Sequence, residues 1–405
     1  MRNRFGKALS VVALVALSAC GPRPAPARHD GDWLATWASP AQPPGGAPSG
    51  LKGQTVRQVV RVSLGGRRWR LKLSNAFGKG EARIDDVRLA LAGDGAATAP
   101  GSDRPVTFGG ASSVSLAPGQ SRYSDPVDLP APSLAKLTIS LHVAESRVPS
   151  QHAEAWDPIF AAPGDQAGRP TLTGAKPLEK RPFLTEIDVA APASAHAVAL
   201  LGDSLTDGRG SSPGAFHRWS DRLGERLVIS GGGVAVVNAG IGGNRLLHAL
   251  VGPPALRRLD PDALDLPGVS RLVVLEGSND FGIPGLIGRP GEAVQASDVE
   301  DAYRQIIRRA HARGIKVIGA TLPPFSASAD WAGYWSPRAA AERQAVNQWI
   351  RTSGAFDAVV DFDAVLRDPR DPGRQRPAFD SGDHLHPNDA GYAAMAQAVD
   401  LRLLR

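Results

Sequence analysis

From Ala195 to the C-terminus, short apolar runs alternate with segments of helical period, and no other feature constrains the fold as tightly. Strand candidates lie at 197–201, 233–238, 271–275, 315–321 and 357–362. The clearest helix between them is 298–313, where Val299, Tyr303, Ile306, Ile307 and Ala310 share one face. Ser297 and Glu300 read as a capping box at its start, and Gly314 as its end. The last helix, from about Asp389, aligns Tyr392, Met395, Ala396, Val399 and Leu403 on one stripe. Strands alternating with helices imply parallel βαβ units with helices on both faces of the sheet. In such sheets ligands bind beyond the C-terminal strand ends. The residues that follow each strand are therefore the candidates for chemistry.

After the first strand come Gly202, Asp203, Ser204 and Leu205. A serine on a tight strand-to-helix turn exposes its hydroxyl and leaves its own N–H free for an oxyanion. Alone, such a serine is more often a helix N-cap. The second strand is followed by Asn238-Ala239-Gly240-Ile241-Gly242-Gly243-Asn244, and the third by Glu276-Gly277-Ser278-Asn279-Asp280. Before the last helix stands Asp380-Ser381-Gly382-Asp383-His384-Leu385-His386-Pro387-Asn388. Together these turns offer a nucleophile, a backbone N–H, an amide side chain, a base and an orienting acid, the components of acyl transfer.

Competing assignments exist. His384 and Asp380 contend for the base and acid roles, and Asp203 for a helix cap. Gly210-Ser211-Ser212-Pro213-Gly214 matches G-x-S-x-G and nominates Ser212, but no apolar strand precedes it, as that motif requires. Asp380, Asp383, His384, His386 and Asp389, joined by Asp203 and Asp280, raise a metallophosphoesterase reading, which leaves Ser204 and Gly243 without a purpose. A sugar-binding surface protein without catalysis is a third reading.

The four blocks, met in order at Ser204, Gly243, Asn279 and the pair Asp383/His386, resemble those of the GDSL esterases, or SGNH hydrolases, over about residues 195–405. The resemblance implies a flavodoxin-like, three-layer αβα domain with a parallel sheet, working as a serine esterase without metal or cofactor. It favours His386 and Asp383 over His384 and Asp380. Ser204 would attack the ester carbonyl, with His386 as base and Asp383 fixing its tautomer. The N–H groups of Ser204 and Gly243 and the amide of Asn279 would bind the oxyanion. Gly243 suits that place because a side chain would hold substrate away.

Residues 33–192 read as a β-rich, sandwich-like domain ahead of a catalytic domain at 193–405. Gln54–Leu64 alternates, Gly65-Gly66 is a hairpin-turn signal, and Trp69–Ser74 alternates again. Further strands are expected at 87–91, 106–108, 114–116, 137–143 and 183–189, and 161–182 as a surface loop. Thr36-Trp37 and Leu73-Ser74-Asn75-Ala76-Phe77-Gly78 make this part resemble the front half of a bacterial subgroup found beside xylanases, whose members are similar to carbohydrate acetylesterases. Substrates implied are short acyl, chiefly acetyl, esters of polysaccharides or other small esters. Lipid acylhydrolase, lysophospholipase and arylesterase activities belong to the same superfamily. Trp331, Tyr334 and Trp335 follow the fourth strand, where aromatics can stack on sugar. Ile283, Leu286 and Ile287, in a loop broken by Pro284, Gly285 and Gly288, are the nearest candidates for an acyl-chain wall.

Residues 1–20 read as a lipoprotein export signal and 21–32 as a Pro-rich tether. Leu17-Ser18-Ala19-Cys20 resembles a lipobox, and Cys20 is the only cysteine. The expectation is a mature chain lipidated at Cys20 and held at a membrane, with Gly21 resembling an outer-membrane sorting residue. The net charge is +6, and the signal alone carries Arg2, Arg4 and Lys7, so its removal leaves +3. The remaining arginines are scattered rather than striped, which argues against nucleic acid as a partner.

Overall fold

The two halves of the chain build sheets of opposite character. They are seen in a computed structural model that describes residues 33–45, 50–326 and 331–405. The export signal, the tether and Cys20 lie outside the described residues. Among the described residues no helix is long and apolar enough to cross a membrane.

The second half carries a five-stranded parallel sheet. In spatial order its strands are Val234–Gly240, His196–Gly202, Val269–Leu275, Lys316–Ala320 and Ala358–Val360. In chain order this is 2-1-3-4-5, the flavodoxin-like doubly wound arrangement. Val198 to Leu201 have no exposed surface, as a strand covered on both faces must. Helices Trp219–Ile229, Phe362–Leu366 and Asp389–Ala398 pack on one another, and Ala255–Leu259, Ser278–Leu286, Ala296–His311 and Pro337–Thr352 form a separate group. Ala296–His311 starts two residues before its expected position. Asp298 caps it by accepting from the Gln295 N–H (2.8 Å), so Ser297 and Glu300 are not the capping pair. Gly202 pairs with both Gly240 and Leu275. This register places the turns after all three strands side by side.

The first half has two larger antiparallel sheets whose apolar faces share one core, including Val56, Leu71, Ile84, Ile139, Leu141 and Ile187, and a two-stranded pair, Gln151–His152 with Arg181–Pro182. Gln54–Arg61 and Gly66–Ser74 belong to different sheets, so Gly65-Gly66 is not a hairpin turn. The alternation of residues predicts strands but is silent on which strand each one pairs with. Within the expected loop, Ile159–Pro163 is a strand on Gln54–Arg61, with Lys176–Pro177 on its other edge.

The strand Trp33–Ala38 joins the halves. It pairs with Leu184–Ala190 while Leu34 and Trp37 enter the sandwich core and Ala35 and Ala38 enter the core of the parallel sheet. Ser63 Oγ donates to Thr36 O (2.8 Å) and accepts from Val236 N (2.9 Å), which ties the sandwich to the edge of the parallel sheet. Arg218 reaches Asp157 at 3.0 Å, and Asp157 also meets Arg181 at 3.4 Å, all with side chains largely out of water.

Candidate active site

Ser204 opens the short helix Ser204–Asp207 directly after the strand His196–Gly202. Asp203 is its N-cap, accepting from Leu205 N at 2.9 Å, which leaves the serine as the first residue of the helix. No group among the described residues accepts from the Ser204 N–H. Ser204 Oγ stands 2.8 Å from His386 Nε2, and His386 Nδ1 stands 2.6 Å from Asp383 Oδ2. Burial alone would raise the Asp383 carboxyl. The imidazole of His386 and the N–H groups of His386 and Leu385 outweigh it and hold Asp383 well below the usual carboxylate range. The other Asp383 oxygen is thereby committed to the backbone, which fixes the carboxylate as the ring's partner.

Gly243 has φ +72°, a left-handed conformation that glycine accepts without strain. A Cβ there would meet Val251 Cγ2 at 2.6 Å. Conformation and packing therefore demand glycine, beside any need for substrate access. Its N–H also has no acceptor among the described residues. Asn279 lies at the start of the helix Ser278–Leu286. Its Nδ2 donates to Asn244 O (2.8 Å) and its Oδ1 accepts from Tyr334 Oη (2.9 Å). The amide has two N–H bonds and spends one on Asn244, so the second remains available. Free N–H groups of this kind, beside a hydrogen-bonded serine and histidine, can stabilise a developing oxyanion.

The three turns are held by residues that the motifs do not mark. Arg258, almost fully buried, donates to Ala239 O (2.7 Å), Gly202 O (2.9 Å) and Asn244 Oδ1 (2.7 Å). It thus cross-links two strand ends to the Gly243 loop. Asp280 accepts from Leu246 N (2.7 Å) and Leu247 N (3.0 Å) and anchors the same loop, and burial pushes its carboxyl up to about 6. Burial likewise raises Asp203 to about 7. Asp207 Oδ2 accepts from Gly242 N (2.9 Å), and its Oδ1 meets His152 Nε2 (3.1 Å) of the sandwich. His152 Nδ1 faces Pro40 O at 2.9 Å. Both ring nitrogens thus point at acceptors, an arrangement that only the imidazolium satisfies fully. A buried arginine or histidine carries no periodic signal, and these positions were missed for that reason.

The aromatic segment divides. Trp331 stands edge-on to His386, ring centroids 6.1 Å apart. Tyr334 is buried instead, packed on Phe325 with its hydroxyl on Asn279, and so offers no face to a sugar. Trp335 is 42% exposed. The residues 278–286 form a helix, not a loop, and a Cβ on Gly282 would meet the Tyr334 ring at 2.4 Å. The bare helix face is what lets Tyr334 reach Asn279. Ile283 of this helix faces the core rather than a substrate.

The rival assignments are placed as follows. His384 pairs with Asp380 (2.7 Å), while the Ser204 hydroxyl meets His386. Asp389 accepts from Ser212 N (2.8 Å) and faces His217 Nδ1 (2.7 Å). Ser212 sits in an exposed turn. The carboxylates and histidines of the metal reading are thus committed to separate partners, and among the described residues no three of them converge.

Residues 200–394 match the model of the GDSL-like lipase/acylhydrolase family. No curated protein matches the chain. Among solved structures, similar ones include a carbohydrate acetylesterase family member from Sinorhizobium meliloti (15% identity, TM-score 0.41, covering 51% of this chain and 97% of that one). A lipase/acylhydrolase from Enterococcus faecalis (21%, TM-score 0.38, 50% and 92%) and a GDSL-like lipase from Bacteroides thetaiotaomicron (20%, TM-score 0.37, 50% and 84%) are others. The span matched by the family model holds Ser204, Gly243, Asn279, Asp383 and His386. The second half of this chain thus carries a domain that matches the GDSL-like lipase/acylhydrolase family, a match that supports a carboxylic ester hydrolase.

Proposed function

We propose that the protein hydrolyses short-chain acyl esters, acetyl esters above all, through an acyl-enzyme on Ser204. The observation that carries this reading is the hydrogen-bonded series Ser204–His386–Asp383, set beside the unshared N–H groups of Ser204 and Gly243. His386 takes the serine proton as Ser204 attacks, and returns it to the departing alcohol. Asp383 keeps Nδ1 protonated and supports the imidazolium that forms. The N–H groups of Ser204 and Gly243 and the spare N–H of Asn279 receive the negative charge on the carbonyl oxygen. Water then repeats the sequence to release the acid.

A small acyl group is favoured because the apolar residues of 281–287 are turned to the core or half-buried, and Ile283 is buried outright. Each methylene that finds an apolar wall contributes about 0.8 kcal/mol, so an acyl-binding enzyme gains kcat/KM as the chain lengthens. With p-nitrophenyl esters of increasing length, acetate should be best and activity should fall from butyrate onward. A maximum at octanoate or beyond would make the protein a lipid acylhydrolase. O-acetyl groups on polysaccharide are the natural esters for this reading, supported by Trp331 beside His386 and by the expected export and anchoring at Cys20.

A further inference from the structure

We infer that Glu154 of the sandwich domain, with Arg209 and Trp331, forms a subsite for the hydroxyl groups of a sugar or polyol leaving group. The inference rests on the esterase reading and names the alcohol side of that same site.

Glu154 leaves its own domain and lies against the oxyanion loop: a Cβ on Gly242 would stand 3.1 Å from its Oε2. The backbone on either side is pinned. Ala153 N donates to Gln42 Oε1 (2.8 Å), Ala155 N donates to Glu179 O (2.9 Å), and the neighbouring His152 is buried against Asp207. Glu154 Oε1 pairs with Arg209 at 2.8 Å. Its Oε2 is buried and has no donor among the described residues. Buried carboxylate oxygens without a partner are rare, and at the edge of a reaction centre they mark a place for a ligand donor.

Arg209 links Glu154 to Trp331, which is complementary to it. Trp331 Nε1 is a buried donor, also without a partner among the described residues. Its ring lies against His386, and the Arg209 guanidinium sits 5.0 Å from its centroid. Arg209 itself is fixed, because Arg209 N donates to Ser204 O (3.0 Å) and Tyr392 Oη donates to Arg209 O (2.5 Å). One free acceptor and one free donor flank the base that protonates the leaving alcohol. A hydroxyl both donates and accepts, so a vicinal polyol satisfies both, whereas a plain alkyl alcohol satisfies neither. A cationic headgroup fits poorly. Arg209 already neutralises Glu154 and already occupies the cation's place over Trp331.

The test compares acetate release from a mono-O-acetyl methyl xyloside and from propyl acetate, whose leaving groups differ in their hydroxyls. Glu154→Ala should lower kcat/KM for the sugar ester about ten- to a hundred-fold, the value of one or two hydrogen bonds to a charged group. It should change propyl acetate less than two-fold. Trp331→Phe, which keeps a ring and removes the donor, should lower only the sugar ester, by several-fold. Equal losses on both esters would make Glu154 a support of the oxyanion loop, and no loss on either would make it a surface residue; both overturn the subsite. Wild-type protein that hydrolyses p-nitrophenyl acetate but shows no selective loss in the variants condemns the subsite alone. Failure on every ester condemns the esterase reading with it.

Discussion

Two buried arginines show how differently the halves of this chain use the same chemistry. Arg57, in the sandwich, donates to Ala96 O, Ala167 O, Arg169 O, Pro170 O and Ser140 Oγ, at 2.6–3.2 Å. It gathers a surface loop onto a sheet, and nothing around it is left over for a reactant. Arg258 gathers strand ends in the same manner, through Gly202 O, Ala239 O and Asn244. The turns it holds retain the unshared N–H groups of Ser204 and Gly243. In each half a buried arginine secures the fold, and the unshared backbone N–H groups of Ser204 and Gly243 stand where the parallel strands stop. The sandwich enters that region through His152 on Asp207 and Glu154 on Arg209.

The sharpest way to break this contrast is Ser204→Ala. It should lower kcat by about 10⁴–10⁶ while leaving the thermal midpoint unchanged, measured by p-nitrophenyl acetate turnover and calorimetry. Retained turnover would mean that the reacting group lies elsewhere. Asn279→Ala removes one oxyanion donor and should cost about 10²–10³ in kcat. Tyr334→Phe removes only the hydroxyl that orients that amide. Its expected loss is roughly ten-fold in kcat with KM unchanged, about one hydrogen bond's worth of orientation. A change confined to KM would show that Tyr334 does not act through Asn279.

The smallest effect concerns pH and the joint between the halves. Asp203 and Asp280 hold protons more tightly when folded, to about 7 and about 6, so their contribution to stability falls as pH rises from about 4. At His152, burial works against the charge and Arg181 does too, but Asp207 and the Pro40 carbonyl prevail and raise its pKa. Its contribution is complete below the unfolded value of about 6.5 and is lost as pH rises through the higher folded value. Carboxylates held low, such as Asp383 and Asp361, lose their contribution on the acid side, so the decline from these raised groups should show above about pH 4. His152→Asn should remove only the part above about pH 6.5 and weaken the protein by about 1–3 kcal/mol. An unchanged profile in that variant would show that the joint does not depend on the imidazolium.

The same contrast explains what could be read from the sequence. In the second half, strands fall within two or three residues of expectation, because a strand buried on both faces is a continuous apolar run and its partner follows from crossover rules. Ser204 could be singled out because it follows an apolar strand at a glycine-marked turn, whereas Asp383 and His386 lie before the last helix and were preferred to Asp380 and His384 through the family resemblance. In the sandwich the alternation located the longest strands, but pairing is non-local. Gly65-Gly66 therefore read as a hairpin when it passes the chain between sheets. Arg258, His152, Glu154 and the true position of Tyr334 were invisible for one shared reason. Each acts through a partner at least 14 residues away in sequence, and no local pattern encodes such a meeting.

Covalent trapping tests the central claim most directly. Incubation with a p-nitrophenyl alkylphosphonate, followed by peptide mapping, should place one phosphonyl group on Ser204, with loss of activity in step with labelling. Asp383→Asn should slow that labelling without moving it. A label on Ser212, or full inactivation with Ser204 unmodified, would contradict the account.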